Sequence, residues 1–186
     1  MTRCGVDEAG RGPLAGPVYA GAVILPEKYD LPGLTDSKKL TEKARERLFD
    51  QIYAQAVAVG VGSASALEID ELNILEASLL AMRRAVEALS VTPGLLLVDG
   101  SIARGFSLPA RAVIGGDGLI PAISAASVIA KVSRDRHMAE LDGLYPSYGF
   151  AKHKGYGTAA HRAVILKLGP CPEHRPLFLR KITDNM

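Results

Sequence analysis

The sequence predicts one α/β domain, because short β-branched apolar runs alternate with helical patterns and no repeat, low-complexity tract or linker intervenes. Composition agrees: 48% of the 186 residues are apolar and 23% charged, the balance of a globular chain with a sizeable core. A third observation concerns the site. Three strand-like segments finish in acid and glycine, at Asp7-Glu8, Asp99 and Asp117, and open α/β sheets bind ligands beyond their strand ends.

The first strand is expected to begin near Gly5, to be interrupted by glycines, and to resume in the apolar run Gly16 to Leu25. Thr41 can cap a helix reaching about Ala56, with Ala44, Leu48, Ile52 and Ala56 on one face. Val57 to Ser63 is a short strand. A long helix is expected from about Ala66 to Leu89, with Leu75, Met82, Val86 and Leu89 as its apolar stripe. Pro93-Gly94 ends that pattern before LLLVDG, Leu95 to Gly100, which has the character of a central strand. Arg111 to Asp117 repeats the design: strand, glycines, acid. Pro121 near a first turn opens a helix to about Gly143, Pro146 to Gly157 is a loop, and Thr158 to Leu168 is a last helix.

No apolar run approaches the roughly 18 residues that span a bilayer. The start, MTRCGVDEAG, lacks the apolar stretch of a signal peptide, so a cytoplasmic address is expected. Cys4 and Cys171 are too few and too far apart for a disulfide framework or zinc site, and Cys4 is expected to be a small buried hydrophobe. Nothing suggests an interface, so a monomer is expected. From Lys131 to Lys181 the chain holds ten Lys/Arg, four Asp/Glu and all four histidines. Such a bias suits a phosphate-facing surface, and equally the solvated faces of two helices.

Oxygen ligands without paired Cys or His suit Mg2+ or Mn2+. The four carboxylates of Asp7, Glu8, Asp99 and Asp117 exceed what one such ion takes from protein and suit two ions about 4 Å apart. The same acids would also serve as turn residues or caps. Adjacent strand residues point to opposite faces, so Asp7 and Glu8 meet at one metal pair only if the strand bends or ends there. Gly10, Gly12 and Ala15 fit a dinucleotide fingerprint, but the preceding acids repel a pyrophosphate and Pro13 and Pro17 spoil the helix expected next. Bare backbone approaching a sugar or phosphate, with Arg11 beside it, is the better reading.

GVDEAGRGPLAGPV (Gly5 to Val18), DSKKL (Asp36 to Leu40), VDG (Val98 to Gly100), GGD (Gly115 to Asp117), AASVIAKVSRD (Ala125 to Asp135) and HKGYGT (His153 to Thr158) together resemble the type 2 ribonuclease H family, in particular bacterial ribonuclease HII. The motifs stand in the family's order along nearly the whole chain. The resemblance implies a ribonuclease H-like fold over residues 1–186, with a mixed five-stranded sheet flanked by helices. It implies an endonuclease acting on RNA–DNA hybrids and cutting 5′ to a ribonucleotide embedded in duplex DNA. Asp7, Glu8, Asp99 and Asp117 would be the catalytic metal ligands. Gly10, Arg11 and Gly12 would contact the 2′-hydroxyl and phosphate, and Tyr156 would stack on the following deoxyribose. The 2′-hydroxyl is the one handle that separates RNA from DNA at a single nucleotide. Lys38 and Lys39 would bind backbone phosphates, giving a steep salt dependence. Products would carry 5′-phosphate and 3′-hydroxyl.

Two departures accompany the resemblance: Gly115 stands where the family often has lysine, and the chain ends soon after EHRPLF, Glu173 to Phe178. The alternative is a hybrid-binding module without catalysis, which would have no strict need for four acids. Asp135 reads as a solvated ion pair flanked by Arg134 and Arg136, and His153, His161 and His174 as structural hydrogen-bonding groups. Asn73 and Ser127 read as capping or packing residues.

Overall fold

A computed structural model describes residues 2–183. Strands β1 (Arg3–Ala9), β2 (Val18–Ile24), β3 (Ala58–Ala64), β4 (Leu95–Asp99) and β5 (Ala110–Val113) form one sheet in the order β3-β2-β1-β4-β5. β1 pairs antiparallel with β2 and β2 with β3, whereas β1–β4 and β4–β5 are parallel. The sheet is therefore mixed. The helices are α1 (Glu42–Gln55), α2 (Ala66–Leu72), α3 (Ile74–Glu87), α4 (Pro121–Leu144), α5 (Phe150–His153), α6 (Ala159–Leu168) and α7 (Pro176–Thr183). The side chain of Lys181, one of the basic residues counted above, lies outside the described residues.

Side-chain alternation along β1 and β4 divides the core. Cys4, Val6, Leu96 and Val98 join Ala77, Ala81, Met82 and Ala85 of α3 on one face. On the other face α4 packs against β1 and β2, and α1 closes over α4 through Leu48, Ile52, Val128 and Ile129. Glycines bring these layers together. A Cβ on Gly5 would fall 2.1 Å from the carbonyl carbon of Ala122, and one on Gly60 2.0 Å from the carbonyl oxygen of Ala85. Helix and strand backbones touch there, so no side chain fits.

Five expectations need correction. The segment 146–157, expected to be loop throughout, carries the short helix α5, and α7 follows the helix expected to be the last. The opening strand is two antiparallel strands, β1 and β2, joined by residues 10–17; Gly10 at φ 96° and Gly16 at φ 84° allow the reversal. The expected long helix is split into α2 and α3. Asn73 stands at φ 74° between them and its carboxamide oxygen accepts the N–H groups of Leu75 and Glu76, so it caps a new helix. Ser65 and Glu68 form a capping box at the start of α2. Finally, Asp135 is not a solvated pair. It is 8% exposed, accepts from Lys131 Nζ at 2.7 Å, and has Arg45 Nη2 at 4.0 Å. Its sequence neighbours turn elsewhere: Arg134 is buried and Arg136 covers the Phe49 ring.

Thr41 caps α1 as expected, Thr158 caps α6, and Cys4 is fully buried, its thiol pushed up to about 12 by desolvation. Among the described residues, no helix is long and apolar enough to cross a membrane.

Candidate active site

Register builds the acidic centre. Val6 of β1 is paired in parallel with Val98 of β4, so the next residues, Asp7 and Asp99, stand abreast on the face toward α4. Asp117 is carried on a 3-10 turn, Gly116–Gly118, that follows β5. Its N–H donates to Asp99 Oδ1 at 3.2 Å, and its carbonyl accepts from Ser124 Oγ at 2.7 Å. Carboxylate oxygens of Asp7, Asp99 and Asp117 lie within 4.8 Å of one another.

Glu8 is not in that cluster. β1 runs regularly to Ala9, pairing Glu8 with Ala20, so Glu8 leaves on the α3 face with Val6. Its carboxylate meets Arg11 Nη1 at 3.4 Å. Two clefts flank the strand ends. One of about 250 Å³ is lined by Asp7, Glu8, Gly10, Gly12, Lys38, Lys131 and Tyr156, among others, and Asp99. The second, about 200 Å³, lies on the α3 side, and Glu8, Arg11 and Asp99 line both. Asp99 is the ridge between them. A larger cavity, about 890 Å³, opens beside Arg3, Leu25, Tyr29 and Leu119, away from the acidic cluster, and is not the site.

The electrostatics are those of a cation site. Burial, then the charges of Glu8 and Asp99, push the Asp7 carboxyl well above the usual range, while Ser127 and the Glu8 N–H act in the opposite direction. Burial also raises Glu8, which Arg11 partly offsets and Asp99 reinforces. Buried like charges without a cation are costly. Lys38 supplies part of the compensation, its Nζ 3.4 Å from Asp117 Oδ2, although its side chain is 74% exposed. Lys39 lies farther out, with its ammonium beside Gly118.

The glycine segment is anchored from below by two buried guanidinium groups. Arg175 donates to the carbonyls of Gly10, Arg11, Pro13 and Gly16 at 2.7–3.0 Å. Arg134 donates to Pro17, Lys154 and Ala15 at 2.8–3.0 Å. Gly10 needs its bare backbone for a second reason: a Cβ there would sit 2.0 Å from Arg134 Nε. A Cβ on Gly12 would meet nothing closer than Tyr156, at 3.8 Å, so that face of the loop is open. Tyr156 is 43% exposed beside it. The structure thus gathers Asp7, Asp99 and Asp117 tightly, sets Glu8 on the adjoining face, and places Gly10–Gly12, Lys38 and Tyr156 around one cleft. Arg134 and Arg175 were missed by sequence reasoning, although both lie inside stretches, SRD and EHR, that it had singled out.

A mixed five-stranded sheet flanked by helices, with acids gathered at the ends of β1 and β4, has the architecture of the ribonuclease H-like fold. Residues 4–181 match the Ribonuclease HII family. A ribonuclease HII from Syntrophotalea carbinolica is 58% identical over 174 residues, covering 94% of this chain and 83% of that protein. The crystal structure of the ribonuclease H2 from Pyrococcus horikoshii is 29% identical with a TM-score of 0.79, covering 100% and 98% of the two chains. A Bst-ribonuclease HIII crystallised with Mn2+ shares the fold at 18% identity and a TM-score of 0.68, over 91% of this chain and 63% of that one. The chain belongs to the ribonuclease HII family and is a nuclease of the ribonuclease H type.

Proposed function

We propose that this single-domain enzyme hydrolyses the RNA strand of RNA–DNA hybrids and cuts 5′ to a ribonucleotide embedded in duplex DNA, leaving 5′-phosphate and 3′-hydroxyl. The observation that carries the proposal is the convergence of Asp7, Asp99 and Asp117 oxygens within 4.8 Å, with Asp7 and Asp99 lining the cleft that Gly12 and Tyr156 also line. The donor set fits hard divalent ions: it is all carboxylate, and Asp7 is buried against like charge. The Mn2+ held by the ribonuclease HIII of the same fold is consistent with this.

Asp7, Asp99 and Asp117 would hold Mg2+ or Mn2+, and Glu8 would reach a second ion from the adjoining face. Such ions supply a lowered pKa for the attacking water and neutralise charge on the departing 3′ oxygen. The remaining work falls to the chain. Backbone at Gly10 and Gly12 comes close enough to feel a 2′-hydroxyl, because no side chain intervenes. Arg11 and Lys38 bind flanking phosphate, with Lys39 farther along the backbone. The Tyr156 ring rejects a second 2′-hydroxyl on the next sugar by contact. The protein would work as a cytoplasmic monomer.

Incubation with Mg2+ or Mn2+ and a DNA duplex carrying one ribonucleotide tests the proposal. Cleavage 5′ to that ribonucleotide is expected, lost in Asp99→Asn while duplex binding persists. Intact substrate in the presence of folded protein would refute it.

A further inference from the structure

Beneath the loop that carries Tyr156, three histidines are in contact. His161 Nε2 lies 3.0 Å from His174 Nε2, and His161 Nδ1 lies 2.9 Å from the Tyr156 carbonyl oxygen. A carbonyl only accepts, so His161 Nδ1 carries its proton and, in a neutral ring, Nε2 accepts. His174 Nε2 must then donate. That leaves His174 Nδ1 to accept the Cys171 N–H, which it meets at 3.0 Å. The Cys171 carbonyl lies farther from the same nitrogen, at 3.3 Å, and with both rings neutral one direction makes the three shorter contacts: Cys171 N–H to His174, His174 to His161, His161 to Tyr156.

The surroundings favour neutral rings. His161 is 0% and His174 3% exposed, and Phe150 presents an edge to His161. Burial lowers both rings from the ordinary histidine value, His174 to about 4. His153 works on the other side of Tyr156. Its Nε2 meets the Tyr148 carbonyl at 2.7 Å and so donates, its Nδ1 accepts the Gly155 N–H at 3.1 Å, and its ring stacks on His161 at 4.0 Å. Imidazoles therefore hold the backbone on both sides of Tyr156.

We propose that His161 and His174 are positioning residues for Tyr156: a pair locked in complementary tautomers that fixes the Tyr156 ring at the edge of the cleft. The pair acts through the backbone and touches no substrate. This rests on the reading of Tyr156 as the ring that meets the sugar after the ribonucleotide.

Long-range 1H–15N spectra of the unaltered full-length chain at neutral pH read the tautomers directly. His161 should be protonated at Nδ1 alone and His174 at Nε2 alone; the reverse pattern, or a cationic ring, overturns the assignment. Single-turnover cleavage of a duplex with one ribonucleotide, with Mg2+, then tests function. His161→Leu should slow the cleavage rate roughly ten- to a hundredfold with duplex affinity nearly unchanged, since small displacements from reacting geometry carry penalties of that order. His161→Asn, whose amide nitrogen takes the place of Nδ1, should recover to within about threefold of wild type. Equal rates in the two variants overturn the proposal. A slow Tyr156→Ala beside a wild-type His161→Leu overturns the relay alone. A wild-type rate in Tyr156→Ala instead sinks the reading of Tyr156 on which the relay depends. Should His161→Leu fail to fold, the spectra of the unaltered chain still decide the wiring.

Discussion

Arg175 Nη2 donates to the Gly10 carbonyl at 2.7 Å, tying the last turn before α7 to the first turn after β1 across 165 positions of sequence. The same guanidinium serves three further carbonyls, and desolvation, with Arg134 nearby, lowers it to about 9. A cation is tolerated there because carbonyl dipoles replace its hydration. The segment proposed to sense the substrate is therefore held in place from outside itself.

Arg175→Met should leave those carbonyls unsatisfied and destabilise the fold by about 3 kcal/mol, given that each orphaned buried polar group costs about 1–3 kcal/mol. Arg175→Lys should recover little, because an ammonium cannot reproduce the planar fork. Urea denaturation midpoints check both, and cleavage at a single ribonucleotide should fall in each at temperatures where the variant is folded.

Asp7→Asn should abolish cleavage yet stabilise the metal-free protein. It removes a charge that burial, Glu8 and Asp99 all disfavour. A gain of about 1 kcal/mol, roughly 2–4 °C in melting temperature, is expected by calorimetry in chelator above neutral pH. An unchanged or lower melting temperature would show that the Asp7 bonds to Glu8 N–H and Ser127 outweigh the repulsion.

Removing Asp7 also exposes the histidines' contribution to pH dependence. Raised carboxyls such as Asp7 lose stability as pH rises through their folded pKa. Lowered histidines do the reverse: their contribution is full above the unfolded value of 6.5 and is lost as pH falls toward about 4, the His174 value, because the unfolded chain then binds more protons. In the Asp7→Asn background, stability should fall as pH drops through that window, with His161 adding in the same sense. Adding His174→Gln should flatten the decline in thermal melts.

Asn73→Ala should destabilise by about 1–2 kcal/mol, since it deletes a cap and keeps a Cβ at positive φ. Asn73→Gly should lose less, because glycine adopts φ 74° freely. Chemical denaturation of the two variants ranks them.

Much of the fold could be read along the chain because local signals and tertiary needs agreed: Thr41 and Thr158 cap the helices they precede, and LLLVD is an interior strand. The break between α2 and α3 escaped notice although Asn73 reads as a capping or packing residue and does cap α3, because apolar residues resume at once on both sides of it and only its own side chain marks the break. The β1–β2 hairpin was hidden because its connection is eight residues of glycine-rich loop rather than a two-residue turn, and its reversal depends on Arg134 and Arg175, which are distant in sequence. At the site, strand parity raises the question whether Asp7 and Glu8 share a face, and the regular pairing of β1 through Ala9 answers it by separating them. What no local pattern discloses is that the β1–β4 register sets Asp99 beside Asp7. Asp135 was misjudged for the same reason, since Arg45 comes from another helix.

The glycines that press the helices onto the sheet have a consequence for how this protein can change. Gly5 lies two residues before Asp7, and its Cα is held against the backbone of α4 at Ala122, with Gly21 against Ala126 beside it. The height of the acids above α4 is thus set by main chain meeting main chain, not by the bulk of any side chain. Exchanges among Leu48, Ile52 and Ile129 can alter stability while leaving the spacing of the carboxylates intact. The enzyme's hydrophobic interior is free to drift, whereas the ruler that spaces its acids is written in residues that have no side chain to vary.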